Sequence, residues 1–508
     1  MTRKAGILIA VYVAVLAINL DVTIVNVALP SMARELDAGT RGLQWIVDGY
    51  NLAFAGLVLA AGSLSDRYGR RPALLIGLIG FAATSVVGAF VDSAAALIAA
   101  RVGMGVFAAL IFPTTLSVIS NAFPDRRQRA AALGGWGAVV GAGVALGPVT
   151  GGLLLEHFYW GSVFLALAPV ALIAAALAFV LVPESRDPGV PALDLPGLGV
   201  SIAMLTLVTY TIIEAPSRGW TSVATLGGFA ASALLIAAFV AVESRAEHPM
   251  LDVRLFRDRR FSAASGAEMI TFFALSGFIF LITQYFQLVR GFGPLDTGAR
   301  ILPVAFSIAI ASVAGGLLAP RLGTKSVVTS GMVMFGSSML WIGLTAAIDT
   351  SYSTVIVPQM ILMGLGMGLI STPATESIML VLPPARAGIG SAVNDATREL
   401  GATMGVAIVG SLFASVYGAR LADSAFGSAA GDRLSAAQDS VAVAIGIGQG
   451  QPGLLTAAQD SFLSGLHAGC FLVAAICFAG ALVSLVALPG RGFVTPYAVD
   501  EDLELVAA

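Results

Sequence analysis

Charged residues are scarce in this chain. Only 11% of its 508 residues are Asp, Glu, Lys or Arg, whereas 57% are hydrophobic and the mean hydropathy is +0.90. Because a soluble domain carries about 25% charged residues, the composition excludes an ordinary soluble protein and predicts a polytopic membrane protein. The lipid bilayer is therefore its first predicted partner. The net charge of -3 and the lack of long basic runs argue against binding to nucleic acid.

Reactive and metal-binding side chains are also few. The two cysteines, Cys470 and Cys477, are too far apart along one apolar run to form a disulfide within a helix. The three histidines form no H-E-x-x-H pattern, and no G-x-x-x-x-G-K-[ST] loop occurs. The sequence therefore predicts that the protein is not an enzyme and has no cofactor and no metal site. A transport function would draw its energy from a proton or ion gradient.

Fourteen apolar segments are long enough to cross a bilayer, whose core takes about 20 residues of helix. A cleaved signal peptide is the alternative reading of the first segment, but no clear A-x-A site follows it. Lysine and arginine are concentrated in the connections on the side of the N-terminus. By the positive-inside rule this predicts a multi-pass protein of the inner (plasma) membrane with both termini cytoplasmic.

Long polar connections after the sixth and the eighth segment divide the chain. The predicted parts are an N-terminal six-helix bundle (1–182), two linker helices with their cytoplasmic loops (183–261), C-terminal bundle helices 9–13 (262–418), a solvated extracytoplasmic loop with two short helices (419–462), a last helix (463–488) and a cytoplasmic tail (489–508).

The connection between the second and third segments reads GSLSDRYGRRPAL, residues 62–74. Taken residue by residue, it is a turn with glycine whose arginines can meet lipid headgroups or a helix end. Its order resembles the cytoplasmic gating loop of the major facilitator superfamily (MFS), where this motif locks the inner ends of the two halves together. The matching residues are Gly62, Asp66, Arg67, Gly69, Arg70 and Arg71. A degenerate copy, GGLLAPRLGTK at 315–325, is expected from a repeat of two six-helix halves.

Three further stretches resemble the fourteen-helix drug:proton antiporters of that superfamily, the EmrB/QacA type. They are NLDVTIVNVALPSM (19–32), RVGMGVFAALIFP (101–113) and GVALGPVTGG (143–152). The resemblance spans nearly the whole chain and implies an all-α integral membrane protein of MFS fold, with two six-helix bundles and two extra central helices. It further implies a proton-coupled antiporter for multidrug efflux, which exports hydrophobic, cationic compounds by alternating access.

The fifth-segment stretch carries Gly143, Gly147 and Gly151 at intervals of four residues, with Pro148 and Gly152 beside them. Such a stripe lets another helix approach closely, and the proline permits a bend because it removes a backbone hydrogen bond. The resemblance makes this an antiporter motif. Ordinary glycine-mediated packing remains the alternative.

Carboxylates inside apolar segments are costly and indicate function. Asp21 and Arg101 share a depth at which they can meet, so Asp21 is either half of a structural ion pair or a proton carrier. The predicted set of proton-coupling residues comprises Asp21, Asp48, Arg101, Glu268, Glu376, Asp395 and Glu399. For Asp395 and Glu399, an interfacial ion pair with Arg398 in a cytoplasmic helix extension is the alternative.

Aromatic side chains near these charges offer faces for cations. The predicted substrate-cavity residues are Trp45, Tyr50, Trp136, Phe278 and Tyr285, with packing or membrane-belt roles as the alternative. Carboxylates outnumber arginines within the segments, so the predicted partners are protons and small hydrophobic or cationic molecules, handled by a monomer. An exporter of one endogenous metabolite, lipid or antibiotic, and a non-transporting receptor or scaffold, are the other hypotheses.

Overall fold

The structure, a computed structural model, describes residues 3–187, 193–381 and 387–490. These residues form seventeen α-helices and no strand. Fourteen of the helices are long and apolar enough to cross a membrane, which confirms the predicted fold class.

Most of the helices follow one another with short connections, and longer ones separate α6 from α7 and α8 from α9. Their bounds are α1 Arg3–Glu35, α2 Thr40–Tyr68, α3 Arg70–Ala89, α4 Ala94–Ala122, α5 Arg126–His157, α6 Ser162–Leu181, α7 Leu195–Arg218, α8 Val223–Arg245, α9 Arg259–Gln284, α10 Pro294–Leu322, α11 Thr324–Thr345, α12 Val357–Leu380, α13 Ala387–Asp423, α14 Ala425–Ala429, α15 Leu434–Asp439, α16 Val441–Gly448 and α17 Pro452–Ala487. π-helical turns at Tyr285–Val289 and Tyr352–Ile356 extend α9 and precede α12.

Polar residues mark where several of these helices begin. The side chains of Ser93, Asp125 and Ser222 accept hydrogen bonds from backbone amides in the first turns of α4, α5 and α8, which satisfies donors that have no partner within the helix. Gly69 follows the end of α2 with a φ of 127°, a conformation that glycine adopts without steric cost.

Two groups of six spanning helices make up the two halves, α1–α6 and α9–α13 with α17. The spanning helices alternate in direction, so α1 begins and α17 ends on one side, which we name the terminal face; the other side is the opposite face. Between the halves, α5 packs against α10 and α2 packs against α13. Helix α7 packs on α2 and α13, and α8 packs on α7. The linker pair therefore lies across one seam between the halves.

The segment predicted as a solvated loop at 419–462 is instead largely helical and packed. Helix α13 continues to Asp423, and the last spanning helix begins at Pro452 rather than 463. Phe426 and Ala437 are fully buried, and Tyr417 donates a hydrogen bond to the carbonyl of Ala437 at 2.8 Å. The apolar residues of the segment thus cover the opposite face. Residues 491–508 of the predicted tail lie outside the described residues.

Candidate functional site

Asp21 of α1 and Arg101 of α4 form an ion pair inside the first half. Arg101 Nη1 lies 2.6 and 2.7 Å from the two carboxylate oxygens of Asp21, and its Nε donates to the carbonyl of Ile46 at 3.1 Å. The side chains of Arg101 and Asp21 are 2% and 0% exposed. Buried charges persist when they are paired and hydrogen-bonded in this way. The ion pair that the sequence offered as one alternative is therefore present.

Two more polar groups of the first half are buried with little hydrogen bonding. Asp48 is 0% exposed, and neither of its carboxylate oxygens accepts a hydrogen bond in standard geometry from the described residues, although the side chain of Asn51 is close enough to favour its anion. The hydroxyl of Tyr50 is also buried and makes no hydrogen bond with the described residues, while its ring covers the Arg101 guanidinium at 4.3 Å from the ring centroid. A fully buried carboxylate with so little support is costly as an anion, which fits the proton-coupling role predicted for Asp48.

A second buried ion pair lies in the other half. Arg398 Nε of α13 is 3.1 Å from Glu268 Oε2 of α9, and Glu268 is 0% exposed. Thr375 of α12 joins them, since it donates to Glu268 Oε1 at 3.2 Å and accepts from Arg398 Nη2 at 2.9 Å. Three helices are therefore tied together at this pair.

Asp395 and Glu399 complete a cluster of three carboxylates around the single guanidinium of Arg398. Both acids are half-buried on α13, and both interact electrostatically with Arg398. Because Arg398 pairs with Glu268 on another helix, Asp395 and Glu399 do not form an isolated ion pair with it on α13. We name Glu268, Asp395, Arg398 and Glu399 the acidic cluster.

Glu399 is also the point at which the acidic cluster approaches the first half. It is close enough to Tyr50 of the first half for an electrostatic interaction, and the Tyr50 ring in turn covers the Arg101 guanidinium. Glu376, by contrast, is exposed on α12 and makes no ion pair or hydrogen bond among the described residues. The structure thus brings six of the seven predicted proton-coupling residues to the interior and leaves Glu376 outside.

The five aromatic residues that were predicted to line a substrate cavity do not lie together in the structure. Trp45 packs against Tyr210 of the linker helix α7, with ring centroids 6.2 Å apart. Phe278 and Tyr285 line a small cavity of about 10 Å³ within the second half, and Tyr285 donates a hydrogen bond to the carbonyl of Ala347 at 2.7 Å. The sequence reveals how close these rings are to charges along the chain, but not which way they point.

The other two aromatics belong to a row that the sequence did not reveal. Successive ring centroids from Tyr50 to Phe54, Phe112 and Trp136 are 6.2, 5.8 and 5.0 Å apart. The row runs from the buried Arg101 along α2, α4 and α5 toward the terminal face. Phe54 one turn after Tyr50 is the signal that could have indicated it.

A cavity of about 20 Å³, with room for about one water molecule, lies between the halves. Helices α1, α5, α9 and α10 all line it, and its walls are mostly apolar, with Thr23, Asn26 and Thr283 as polar groups. In this conformation the halves are therefore too close together there to enclose a drug-sized molecule, whose pockets measure about 300–1,000 Å³. None of its residues except Pro148 was singled out from the sequence.

The glycine stripe of α5 packs on α1. A Cβ atom added to Gly143 would lie 2.6 Å from Asn19 Cβ, and one on Gly151 would lie 2.7 Å from Ile24 Cγ1. On its other side, a Cβ on Gly152 would lie 2.6 Å from the carbonyl oxygen of Pro294 on α10. Helix α5 is therefore held between its own half and the other half, and the absence of side chains permits both contacts.

Substitution of Gly147 by alanine is expected to destabilise the folded chain by about 1–3 kcal/mol, because the new methyl group overlaps Thr23 and α1 must shift. The matched control is Gly141→Ala on the same helix, where a Cβ meets nothing within 4 Å. Chemical denaturation of the purified variants measures the difference. Equal stability of the two variants would contradict the packing role of the stripe.

The loop that matches the family motif docks on its own half. Asp66 and Arg70 form an ion pair at 2.7 Å, and the backbone amide of Asp187 donates to the carbonyl of Asp66 at 2.7 Å. Arg71 donates to the carbonyl of Phe179 at the end of α6 at 2.5 Å. Arg67 stacks near Tyr68 at 5.8 Å, and a Cβ on Gly62 would touch Pro113 at 3.4 Å. The loop therefore fastens α2 and α3 to the end of α6.

Hydrogen bonds between the two halves lie toward the opposite face. Gln44 Nε2 of α2 donates to the carbonyls of Val406 and Ala407 at 3.1 and 3.0 Å, and Gln287 donates to the carbonyl of Val27 at 2.8 Å. Gln44 lies near the start of α2, and Gln287 lies in the π-helical turn that extends α9. The halves are thus fastened to each other at the opposite face.

Comparison with known proteins identifies the family. The family model of the Major Facilitator Superfamily matches residues 11–406. The chain belongs to the major facilitator superfamily. The carrier is 36% identical over 492 residues to the multidrug efflux pump LfrA of Mycolicibacterium smegmatis. This alignment covers 95% of this chain and 96% of that protein.

Other relatives of the carrier are named for resistance or export. The methyl viologen resistance protein SmvA of Salmonella typhimurium is 33% identical over 424 residues, 83% of this chain and 85% of that protein. The tetracenomycin C resistance and export protein of Streptomyces glaucescens is 33% identical over 412 residues, 81% and 76% of the two chains.

A solved structure shares the fold of the carrier. The crystal structure of a bacterial homolog to the human lysosomal transporter Spinster, inward-facing and unoccupied, superimposes with a TM-score of 0.67 at 16% identity. The match covers 96% of this chain and 99% of that one. The predicted MFS architecture is thereby confirmed.

Proposed function

We propose that this carrier exports hydrophobic, cationic drugs or toxic compounds in exchange for protons. The observation that carries the proposal is the acidic cluster, in which one guanidinium faces three carboxylates beside the gap between the halves. One positive charge does not neutralise three negative charges, so the surplus can bind either protons or an organic cation. Competition for the same carboxylates couples the two fluxes.

The relatives support export of toxic compounds. LfrA is named as a multidrug efflux pump and SmvA as a methyl viologen resistance protein. The apolar walls between the halves enclose only about 20 Å³ in this conformation, and they supply a surface for the hydrophobic part of such a molecule when the halves separate, while the acidic cluster supplies the charge. The aromatic row from Tyr50 to Trp136 adds faces on which a cation can stack.

The proposed direction, export, is supported by the relatives that are named for efflux and resistance. The excess of lysine and arginine assigns the terminal face to the cytoplasm. The hydrogen bonds of Gln44 and Gln287 then close the pathway on the outer side. Export requires the halves to rock, so that these bonds open and release the compound outward.

The energy source we propose is the proton gradient, without a cofactor. Each proton contributes about 2.3 kcal/mol per 100 mV of membrane potential. Exchange of one or two protons for a compound is therefore sufficient for uphill export by a monomer.

The test is ethidium efflux from energised cells or inverted vesicles that contain the carrier, with and without a protonophore. We expect efflux from the parent that collapses with the protonophore, and efflux from Glu376→Gln that equals the parent because Glu376 is exposed outside the cluster. Efflux that survives the protonophore would contradict proton coupling.

A second candidate function is export of one endogenous product. It is favoured by the similarity to a protein named for export of tetracenomycin C. Absence of ethidium efflux from the parent, together with accumulation of one metabolite when the gene is deleted, would support this function over multidrug export.

A further inference from the structure

The linker helices carry a pair of buried acids that the transport pathway does not use. Asp194 caps the N-terminus of α7, where its Oδ1 accepts a hydrogen bond from the amide of Gly197 at 2.9 Å. Glu243, in the last turns of α8, is 2% exposed, and its Oε2 accepts from the amide of Leu251 at 3.2 Å. Asp194 thus belongs to the connection from the first half, and Glu243 binds the connection to the second half.

The remaining oxygen of each acid has no partner. Asp194 Oδ2 and Glu243 Oε1 are buried and make no hydrogen bond with the described residues. Both lie 2.6 Å from the position that a Cβ of Gly197 would take, so they are within twice that distance of each other. Ionised carboxylates only accept hydrogen bonds. A proton on one of the two oxygens allows it to donate to the other when they approach to about 2.5–3.0 Å, which satisfies both.

The charges around the pair also favour a bound proton. The charged groups that act on Glu243 are Asp194 and Asp252, which are both acidic, and its donors are backbone amides. The nearby arginine of the next segment, Arg254, donates to the carbonyl of Ser244 at 3.0 Å. A buried carboxylate that faces other acidic groups is more readily protonated.

We propose that Asp194 and Glu243 bind one shared proton, which makes them a proton site separate from the acidic cluster. The proton links Glu243 Oε1 to Asp194 Oδ2 and so ties together the two connections that join the linker helices to the halves. When the proton leaves to solvent at the terminal face, repulsion between the carboxylates loosens the ends of α7 and α8. The linker pair thereby responds to the pH on that face. This inference does not depend on the substrate or the direction of transport.

Infrared difference spectroscopy between acid and alkaline pH tests the site on the full chain in lipid nanodiscs. The parent is expected to show the carbonyl stretch of a protonated carboxylic acid, shifted in deuterated water. The variants Glu243→Gln and Asp194→Asn are each expected to lose the contribution of this pair to that band. Glu247→Gln, at an exposed acid of the same connection, is the control and retains it. A band that is unchanged in both pair variants would overturn the proposal.

The pH dependence of folding stability is a second test of this proton site. A protein that binds more protons when folded than when unfolded loses stability as the pH rises, so the parent is expected to lose more stability toward alkaline pH than Glu243→Gln does. Gly197→Ala inserts a methyl group within 2.6 Å of both oxygens and is expected to remove the band although both acids remain. Efflux at neutral pH is expected to survive in Glu243→Gln. Loss of efflux in this variant would place the pair in the transport pathway and overturn the proposal that it is a separate proton site.

Discussion

Replacement of Arg101 by leucine is expected to destabilise the folded carrier by about 3–5 kcal/mol, because removal of one partner leaves a buried charge without compensation. The buried charge is the carboxylate of Asp21, which is 0% exposed. Both hydrogen bonds that it accepts from side chains are donated by Arg101. Leucine also removes the donor to the carbonyl of Ile46 and the cation beneath the Tyr50 ring. Chemical denaturation in detergent, followed by intrinsic fluorescence, measures the effect.

The control for this prediction is an exposed ion pair of similar length. Arg41 is 55% exposed and lies 3.1 Å from Glu214, so Arg41→Leu is expected to cost no more than about 1 kcal/mol. The double variant Asp21→Asn with Arg101→Leu is expected to recover part of the loss, because no charge then remains buried. If Arg101→Leu is no less stable than Arg41→Leu, the Asp21–Arg101 pair does not hold the first half together.

The two interpretations of Asp21 can be separated in the same proteins. A structural partner of Arg101 predicts that Asp21→Asn lowers stability and leaves proton coupling intact in the molecules that fold. A proton carrier predicts that the variant folds but no longer couples efflux to the gradient. Efflux normalised to folded protein, with and without a protonophore, distinguishes the two roles.

The spanning helices could be predicted from the sequence because the bilayer demands a long apolar run from each of them. The same rule failed at 452–462, where Gln459 and Asp460 make the sequence polar enough to suggest a loop. In the structure Gln459 donates a hydrogen bond to the carbonyl of Val289 at 3.0 Å, and α17 begins at Pro452. Hydropathy does not detect a polar side chain that is satisfied by a neighbouring segment.

The charged site was partly predictable for a different reason. The fixed rise of an α-helix places Asp21 and Arg101 at a common depth, so their pairing could be inferred from position along two helices. The pairing of Glu268 with Arg398 depends on how α9 and α13 are rotated toward each other, which one sequence does not determine. The same missing information leaves the orientation of the Trp45 and Phe278 rings undetermined by the sequence, because a ring near a charge along the chain points in any direction.

Glu399→Gln is expected to weaken the binding of ethidium at least about tenfold, because a charge-assisted contact contributes about 1.5–3 kcal/mol and 1.4 kcal/mol corresponds to a factor of ten. Glu399 is the acid of the cluster that is close enough to Tyr50 of the first half for an electrostatic interaction, so a cation between the halves meets its charge. The parent is expected to bind ethidium more tightly as the pH rises, since protons then compete less for the carboxylates.

That pH dependence should be reduced in Glu399→Gln and preserved in the control Glu376→Gln, whose acid is exposed on α12. Binding to the purified carrier, followed by ethidium fluorescence at several pH values, gives both quantities without a membrane gradient. An unchanged pH dependence in Glu399→Gln would move the competition between proton and drug to Asp395 or to the buried Asp48. Because Glu399 and Asp395 share one face of α13 around Arg398, Asp395→Asn would be the next variant, and loss of the dependence there alone would identify the carboxylate that exchanges the two cations.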